Sequence, residues 1–257
     1  MNRHILILLL AFVSSISFGQ DPYKILVKAY KSDSIPLLEK FLLDWNKKSI
    51  PNPNIYDFPE VKKNTYAIYQ DFYNPFLLDK YGKQEMGSDL YSKIKYVIIQ
   101  NSIRVIVLKT DSIDQDYRNP EDSIIKEKLT ISEFKPNLSF ENAKVLFLTS
   151  DYAHYLNKFL KKKHYKLGYG GIMNPARAKG SAIYKQEFLN SKLLIIHGHW
   201  GGNWHLETHP YINNIIFNKD LTLAKINFRI GYQGGESIYL KKDGNWITKS
   251  SEITWIE

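Results

Sequence analysis

Cysteine is absent from all 257 residues. That excludes disulfides, thiolate metal sites, a cysteine nucleophile and a lipid-bearing cysteine behind a signal peptide. Long apolar runs are missing as well. The N-terminal stretch 5–13 falls well short of the roughly 20 residues a membrane helix needs, and no later stretch approaches that length. The familiar catalytic signatures are also lacking: there is no His-Glu-x-x-His helix and no Gly-x-Ser-x-Gly elbow. Gly168-Tyr169-Gly170-Gly171 followed by Lys179-Gly180-Ser181 inverts the Gly-Lys-Ser order of a phosphate loop and reads as a plain loop.

The chain does carry a start signal for export. Arg3 and His4 precede the apolar stretch 5–13, and Ser17 and Gly19 stand at the −3 and −1 positions of a cut before Gln20. A charged start, a short apolar core and small residues at the cut are the parts of a cleavable signal peptide, here residues 1–19. The mature protein is expected in the periplasm or outside the cell, with no membrane span and no lipid anchor. The formal charge of +9, one less once Arg3 is removed, could favour anionic partners. The lysines are nevertheless scattered as pairs such as Lys47-Lys48, Lys62-Lys63 and Lys241-Lys242, and an exported chain meets little nucleic acid. The expected partner is a small molecule or a protein. Lys161, Lys162, Lys163 and His164 read as cations at the negative end of a helix.

Hydrophobic spacing then divides the chain. Ser34 can cap a helix bearing Leu37, Leu38, Phe41, Leu42 and Trp45, and Pro59 opens a second with Val61, Thr65, Ile68, Tyr69 and Phe72. Stretches 94–99 and 103–108 read as a hairpin across Asn101-Ser102. Residues 20–110 thus form an N-terminal unit of helices plus a hairpin. Residues 111–138, polar and broken by Pro120 and Pro136, read as a linker or long excursion. Residues 139–257 form a C-terminal helix and antiparallel sheet, either separate from or continuous with the first unit. In that last part Ile226, Phe228, Ile230 and Tyr232 alternate with Lys225, Asn227, Arg229 and Gly231, the period of a half-buried strand. Gln233-Gly234-Gly235-Glu236 reads as a bulge or tight bend that could turn Glu236 toward a pocket. Asp243-Gly244 signals a type I′ turn. Helices ahead of several antiparallel strands predict an α+β fold, a curved antiparallel sheet with helices packed on one face.

Chemistry concentrates in one segment. Four of the seven histidines, His197, His199, His205 and His209, fall within thirteen residues, with Glu207 among them and Trp200 and Trp204 interleaved. Imidazoles plus a carboxylate suit zinc or another divalent metal. Strand geometry sets the condition. A three-residue loop at 201–203 would place all the imidazoles and Glu207 on one face; a two-residue loop at Gly201-Gly202 would put His197 and His199 opposite His205 and His209. The plain alternative is that these histidines line and cap the mouth of a sheet.

The segments Gly198-His199-Trp200-Gly201-Gly202, Trp204-His205, Glu207-Thr208, Gly231-Tyr232-Gln233-Gly234-Gly235-Glu236, Lys242-Asp243-Gly244-Asn245-Trp246 and Thr254-Trp255-Ile256-Glu257 carry a resemblance. Over roughly the last quarter of the chain they resemble a group of uncharacterised exported bacterial proteins. More loosely, the Lys-Asp-Gly-x-Trp hairpin is similar to nuclear-transport-factor-2-like (NTF2-like) domains. That resemblance implies a cone or related roll of helices on a curved sheet with a cavity at its mouth, and no particular activity.

Two functional expectations follow. One is a ligand-binding or protein-interaction module whose pocket is lined by His199, Trp200, Trp204, His205, Glu207 and Arg229. The other is a metal-dependent hydrolase with ligands drawn from His197, His199, His205, Glu207 and His209, Glu207 alternatively serving as base for a metal-bound water.

Overall fold

The structure is a computed structural model and describes residues 21–113, 120–160, 182–197 and 204–257. Five helices lie among them. Helix α1 (Pro22–Lys31) starts where the Asp21 carboxylate accepts a hydrogen bond from the Tyr23 backbone N–H at 3.0 Å, with Pro22 in the first turn. Helix α2 (Ile35–Lys48) begins at Ser34, whose Oγ accepts from Leu37 N at 3.4 Å, and it buries Leu38, Phe41, Leu42 and Trp45. Helix α3 (Glu60–Phe72) follows Pro59, and α4 (Ser150–Leu160) and α5 (Ala182–Asn190) complete the set. Helix α1 was not expected, although Ile25, Leu26 and Ala29 behind Asp21-Pro22 carry its signal. None of the described helices is long and apolar enough to cross a membrane.

The strands are β1 (Tyr96–Ile99), β2 (Ser102–Leu108), β3 (Ile125–Ser132), β4 (Lys144–Phe147), β5 (Ile196–His197), β6 (Trp204–His205), β7 (Tyr211–Phe217), β8 (Leu223–Ile230), β9 (Gln233–Lys242) and β10 (Asn245–Ile256). Six of them form one sheet in the order β10-β9-β8-β7-β2-β3. Every pairing in it is antiparallel except β2 with β7, so the α+β class holds while the sheet is mixed rather than purely antiparallel. The excursion at 111–138 carries β3, an edge strand of this sheet, and residues 114–119 lie outside the described ones.

The hairpin expected from 94–108 does not form. Strand β1 pairs in parallel with β4, whereas β2 lies between β3 and β7. The reason is burial on both faces. The β1–β4 pair is a partition between two cores: Val97, Ile99 and Phe147 pack with α3 and the six-stranded sheet, while Tyr96, Ile98, Leu146 and Leu148 pack with α1, α2, α4 and α5. Strands covered on both sides read as continuous apolar runs, and such runs do not reveal their partners. The chain bends between β1 and β2 around the buried Gln100. Its amide donates to Ser102 O (2.9 Å) and Ile212 O (3.0 Å) and accepts from Ile212 N (2.8 Å), standing in for a missing strand partner.

One face of the large sheet meets α3. Phe72 packs against Phe228 with ring centres 5.3 Å apart, and Tyr239 Oη donates to Asp71 Oδ2 at 3.0 Å. The tight Asp243-Gly244 turn is present, with φ of 50° and 81°, as the type I′ geometry requires. Gln233 to Glu236 do not form the expected bulge. They run straight within β9, and the irregularity sits opposite, between Ile253 and Trp255 of β10. A Cβ at Gly234 would collide with the Trp255 indole, and one at Gly235 with the Phe228 ring and the Glu252 carbonyl. The glycines are there for close approach of aromatic rings, not for a bend.

Candidate functional site

The histidine segment enters the structure through β5 and β6. His197 pairs with Trp204 and Ile196 with His205, a register that belongs to neither of the two loop lengths considered above. Residues directly opposite in an antiparallel pair share a face, so His197 and His205 point to opposite sides. Trp204 is buried among the residues of the helical core, edge-on to the His197 ring at 4.8 Å between ring centres. His199 and Trp200 lie outside the described residues, as do the expected cations at 161–164 and the glycine-rich loop at 168–181.

His205 is half-buried on the other side. Its ring centre is 5.4 Å from that of His209. Burial lowers its pKa, the Arg229 and His197 charges add to this, and Glu257 opposes it. Arg229 is fixed by two contacts: Nε donates to Gly231 O at 2.8 Å, and its guanidinium pairs with Glu257 at 3.4 Å.

His209 is almost fully buried, and its surroundings are structural. Its Nδ1 accepts from Tyr91 Oη at 3.0 Å and from Gly231 N at 3.4 Å, which assigns the ring proton to Nε2. The same tyrosine oxygen accepts from the His209 backbone N–H at 3.0 Å. Burial first, then the His205 and Arg229 charges, hold its pKa down at about 3, so the ring is neutral. Glu207 is driven the other way. Burial raises its carboxyl pKa, against hydrogen bonds from the backbone N–H groups of Leu206 and Glu207 itself. Its charge acts on the buried Tyr69 and Tyr73, which stack at 5.3 Å, and on Tyr211. The Tyr69 hydroxyl has no hydrogen-bond partner.

Of the metal set read from the sequence, the structure places His197, His205, Glu207 and His209, while His199 lies outside the described residues. Among the described residues no group of three or more His, Asp or Glu side chains could hold a metal ion. The physical reason is the register: it turns His197 away from His205, while hydrogen bonds already occupy Nδ1 of His209. Of the pocket set, His205 and Arg229 are brought together, Glu207 stands at the edge of the α3 core, and Trp204 belongs to the helical core.

A different cluster was not anticipated. The face of the large sheet turned away from α3 divides in two. At one end Ile106, Leu108 and Ile216 are covered by Ile113, Ile124 and Ile125. Farther along, the face carries polar residues, of which Asn214, Lys225 and Asn227 are buried. Asn214 and Asn227 are directly paired across β7 and β8, and Asn227 pairs in turn with Glu236 on β9. Asn227 Nδ2 donates to Asn214 Oδ1 at 2.6 Å. The Lys225 side chain is 0% exposed and pairs with Glu236, itself 12% exposed, at 3.4 Å. Arg104, Asn213, Asn214, Asn227, Glu236 and Trp255 line a cavity of about 310 Å³ here. Asn227 Oδ1 is buried with no hydrogen-bond partner. Tyr211 is level with Arg229 on the same face, and the charges of Glu207 and Arg104 both act on it.

Glu236, expected to face a pocket, does line this cavity, and a further sequence signal was available in Asn213-Asn214, which interrupts an otherwise apolar strand. The alternation in β8 instead assigned Lys225 and Asn227 to solvent, because period two shows which residues share a face and not whether that face is covered. The described residues hold a second cavity of about 550 Å³ between α3 and the 51–56 loop, lined by Pro51, Pro53, Tyr56, Tyr66 and Gln70 among others. No family model, no curated protein and no solved structure matches this chain.

Proposed function

We propose that this chain is an exported binding module for a small polar ligand, seated on the polar face of the six-stranded sheet. The observation that carries this reading is the buried amide and ion-pair row Asn214, Asn227, Lys225 and Glu236, opening into a cavity of about 310 Å³. Burying such groups costs stability unless every polar atom is satisfied, and an apolar layer like Ile106 and Ile216 would have sufficed for folding. Within this row Asn227 Oδ1 is a buried acceptor without a protein partner, the kind of group a ligand hydroxyl would satisfy. Arg229 from the sequence-based pocket lies on the same face of β8 as Asn227. Export rests on the signal pattern at 1–19.

Ligand-observed NMR on a library of polar small molecules, run with the wild type and with Asn227→Leu, tests the reading. Binders attenuated by the wild type and not by the variant are expected. Binders that respond equally to both proteins overturn it.

A further inference from the structure

We infer that the cavity on the polar sheet face takes a single ring of a neutral sugar, held against Trp255 and hydrogen-bonded by the asparagine–glutamate row. This inference rests on the proposed function and names the ligand class for that same cavity.

Hydrogen-bonding capacity makes the first cut. Asn227, a residue only 6% exposed, lines the cavity and carries a buried acceptor, Oδ1, without a partner, and Glu236 adds a carboxylate acceptor to the same lining. A carboxylate ligand has only acceptors to offer there and would leave Asn227 Oδ1 unpaired. On the same wall, the Arg104 guanidinium donates, and Asn213 adds an amide that both donates and accepts. Hydroxyl groups, each donor and acceptor at once, match a wall of this mixed character.

Charge makes the second cut. Glu236 is already paired with the buried Lys225 at 3.4 Å, so its charge is neutralised from below. A ligand ammonium would therefore meet a balanced pair rather than an open anion. That disfavours an amino acid, whose ammonium needs a free carboxylate.

Shape makes the third cut. Trp255 is packed so tightly on Gly234 that no Cβ fits between them, which holds the indole as an apolar wall of the cavity. A pyranose offers the matching pair of surfaces: C–H groups across the ring face, hydroxyls around its edge. The volume of about 310 Å³ is at the low end of small-ligand cavities, which run from roughly 300 to 1,000 Å³, and suits one ring.

The test is isothermal titration of the full chain with glucose, galactose, mannose and N-acetylglucosamine, beside glycine, glutamate and inorganic phosphate. At least one neutral sugar is expected to bind, and its affinity is expected to fall at least about tenfold in Asn227→Leu and in Trp255→Ala. Arg104→Ala serves as a third variant. Arg104 is exposed, so the fold survives its loss and a weakened affinity there cannot be ascribed to unfolding. If no neutral sugar binds, or if sugar binding is unchanged in all three variants, the inference is overturned. An amino acid or phosphate that binds the wild type and not Arg104→Ala overturns the sugar assignment while leaving the cavity as the binding site.

Discussion

The buried His209 gives the most direct test of the reasoning about this region. Its imidazole pKa is about 3 in the folded chain against an ordinary value near 6.5. Below pH 6.5 the unfolded chain therefore takes up a proton here that the folded chain refuses, so stability falls as pH falls. The slope is about 1.4 kcal/mol per pH unit while the two states differ by one proton. Between pH 6 and 4.5 the loss from this residue is about 2 kcal/mol. Glu207 acts in the opposite sense, because burial raises its pKa and lowering the pH through that raised value relieves a buried charge. A single stability curve mixes the two, so the comparison with a variant is what isolates His209. His209→Asn keeps an acceptor near the Nδ1 position for Tyr91 Oη and Gly231 N, and it does not titrate. The smaller side chain lowers stability by an offset that does not depend on pH. Urea unfolding followed by tryptophan fluorescence at pH 6, 5.25 and 4.5 should show the variant losing about 2 kcal/mol less than the wild type over that interval. Parallel curves would refute the account of a neutral, acceptor-only ring.

Lys225→Met should cost about 3–5 kcal/mol, because it leaves Glu236 buried without its partner, while Lys225→Met combined with Glu236→Gln should recover most of that in thermal unfolding. Gly234→Ala pushes the added methyl group into the Trp255 indole and should cost about 1–3 kcal/mol, measurable by denaturant midpoint. Gln100→Leu strips hydrogen bonds from Ser102 O, Ile212 O and Ile212 N; with the two Ile212 groups buried, a loss of about 2–4 kcal/mol is expected in the same assay. The intact mass of protein recovered after export should correspond to a chain beginning at Gln20, and a mass retaining residues 1–19 would refute the signal-peptide assignment.

What the sequence determined by itself was local. Helical spacing and caps placed α2 and α3, strand alternation placed β8, and the Asp243-Gly244 pair placed the β9–β10 turn, because each depends on residues a few positions apart. The missed α1 carried an equally local signal in Asp21-Pro22 and Ile25, Leu26 and Ala29. Tertiary structure alone decided which strands meet. The runs in β1 and β2 look like a hairpin because they are adjacent and apolar, yet burial on both sides sends one to β4 and the other between β3 and β7. It also decided where the polar chemistry lies. The histidine segment looked dense on paper, but the β5–β6 register sends His197 and His205 to opposite faces. Arg104, Asn214, Asn227 and Glu236 come from four strands spread over more than a hundred residues and meet only through sheet pairing. Period-two alternation fixes the side of a strand each residue occupies. What covers that side, and which distant residue stands beside it, is set by long-range register, which no short window of sequence contains.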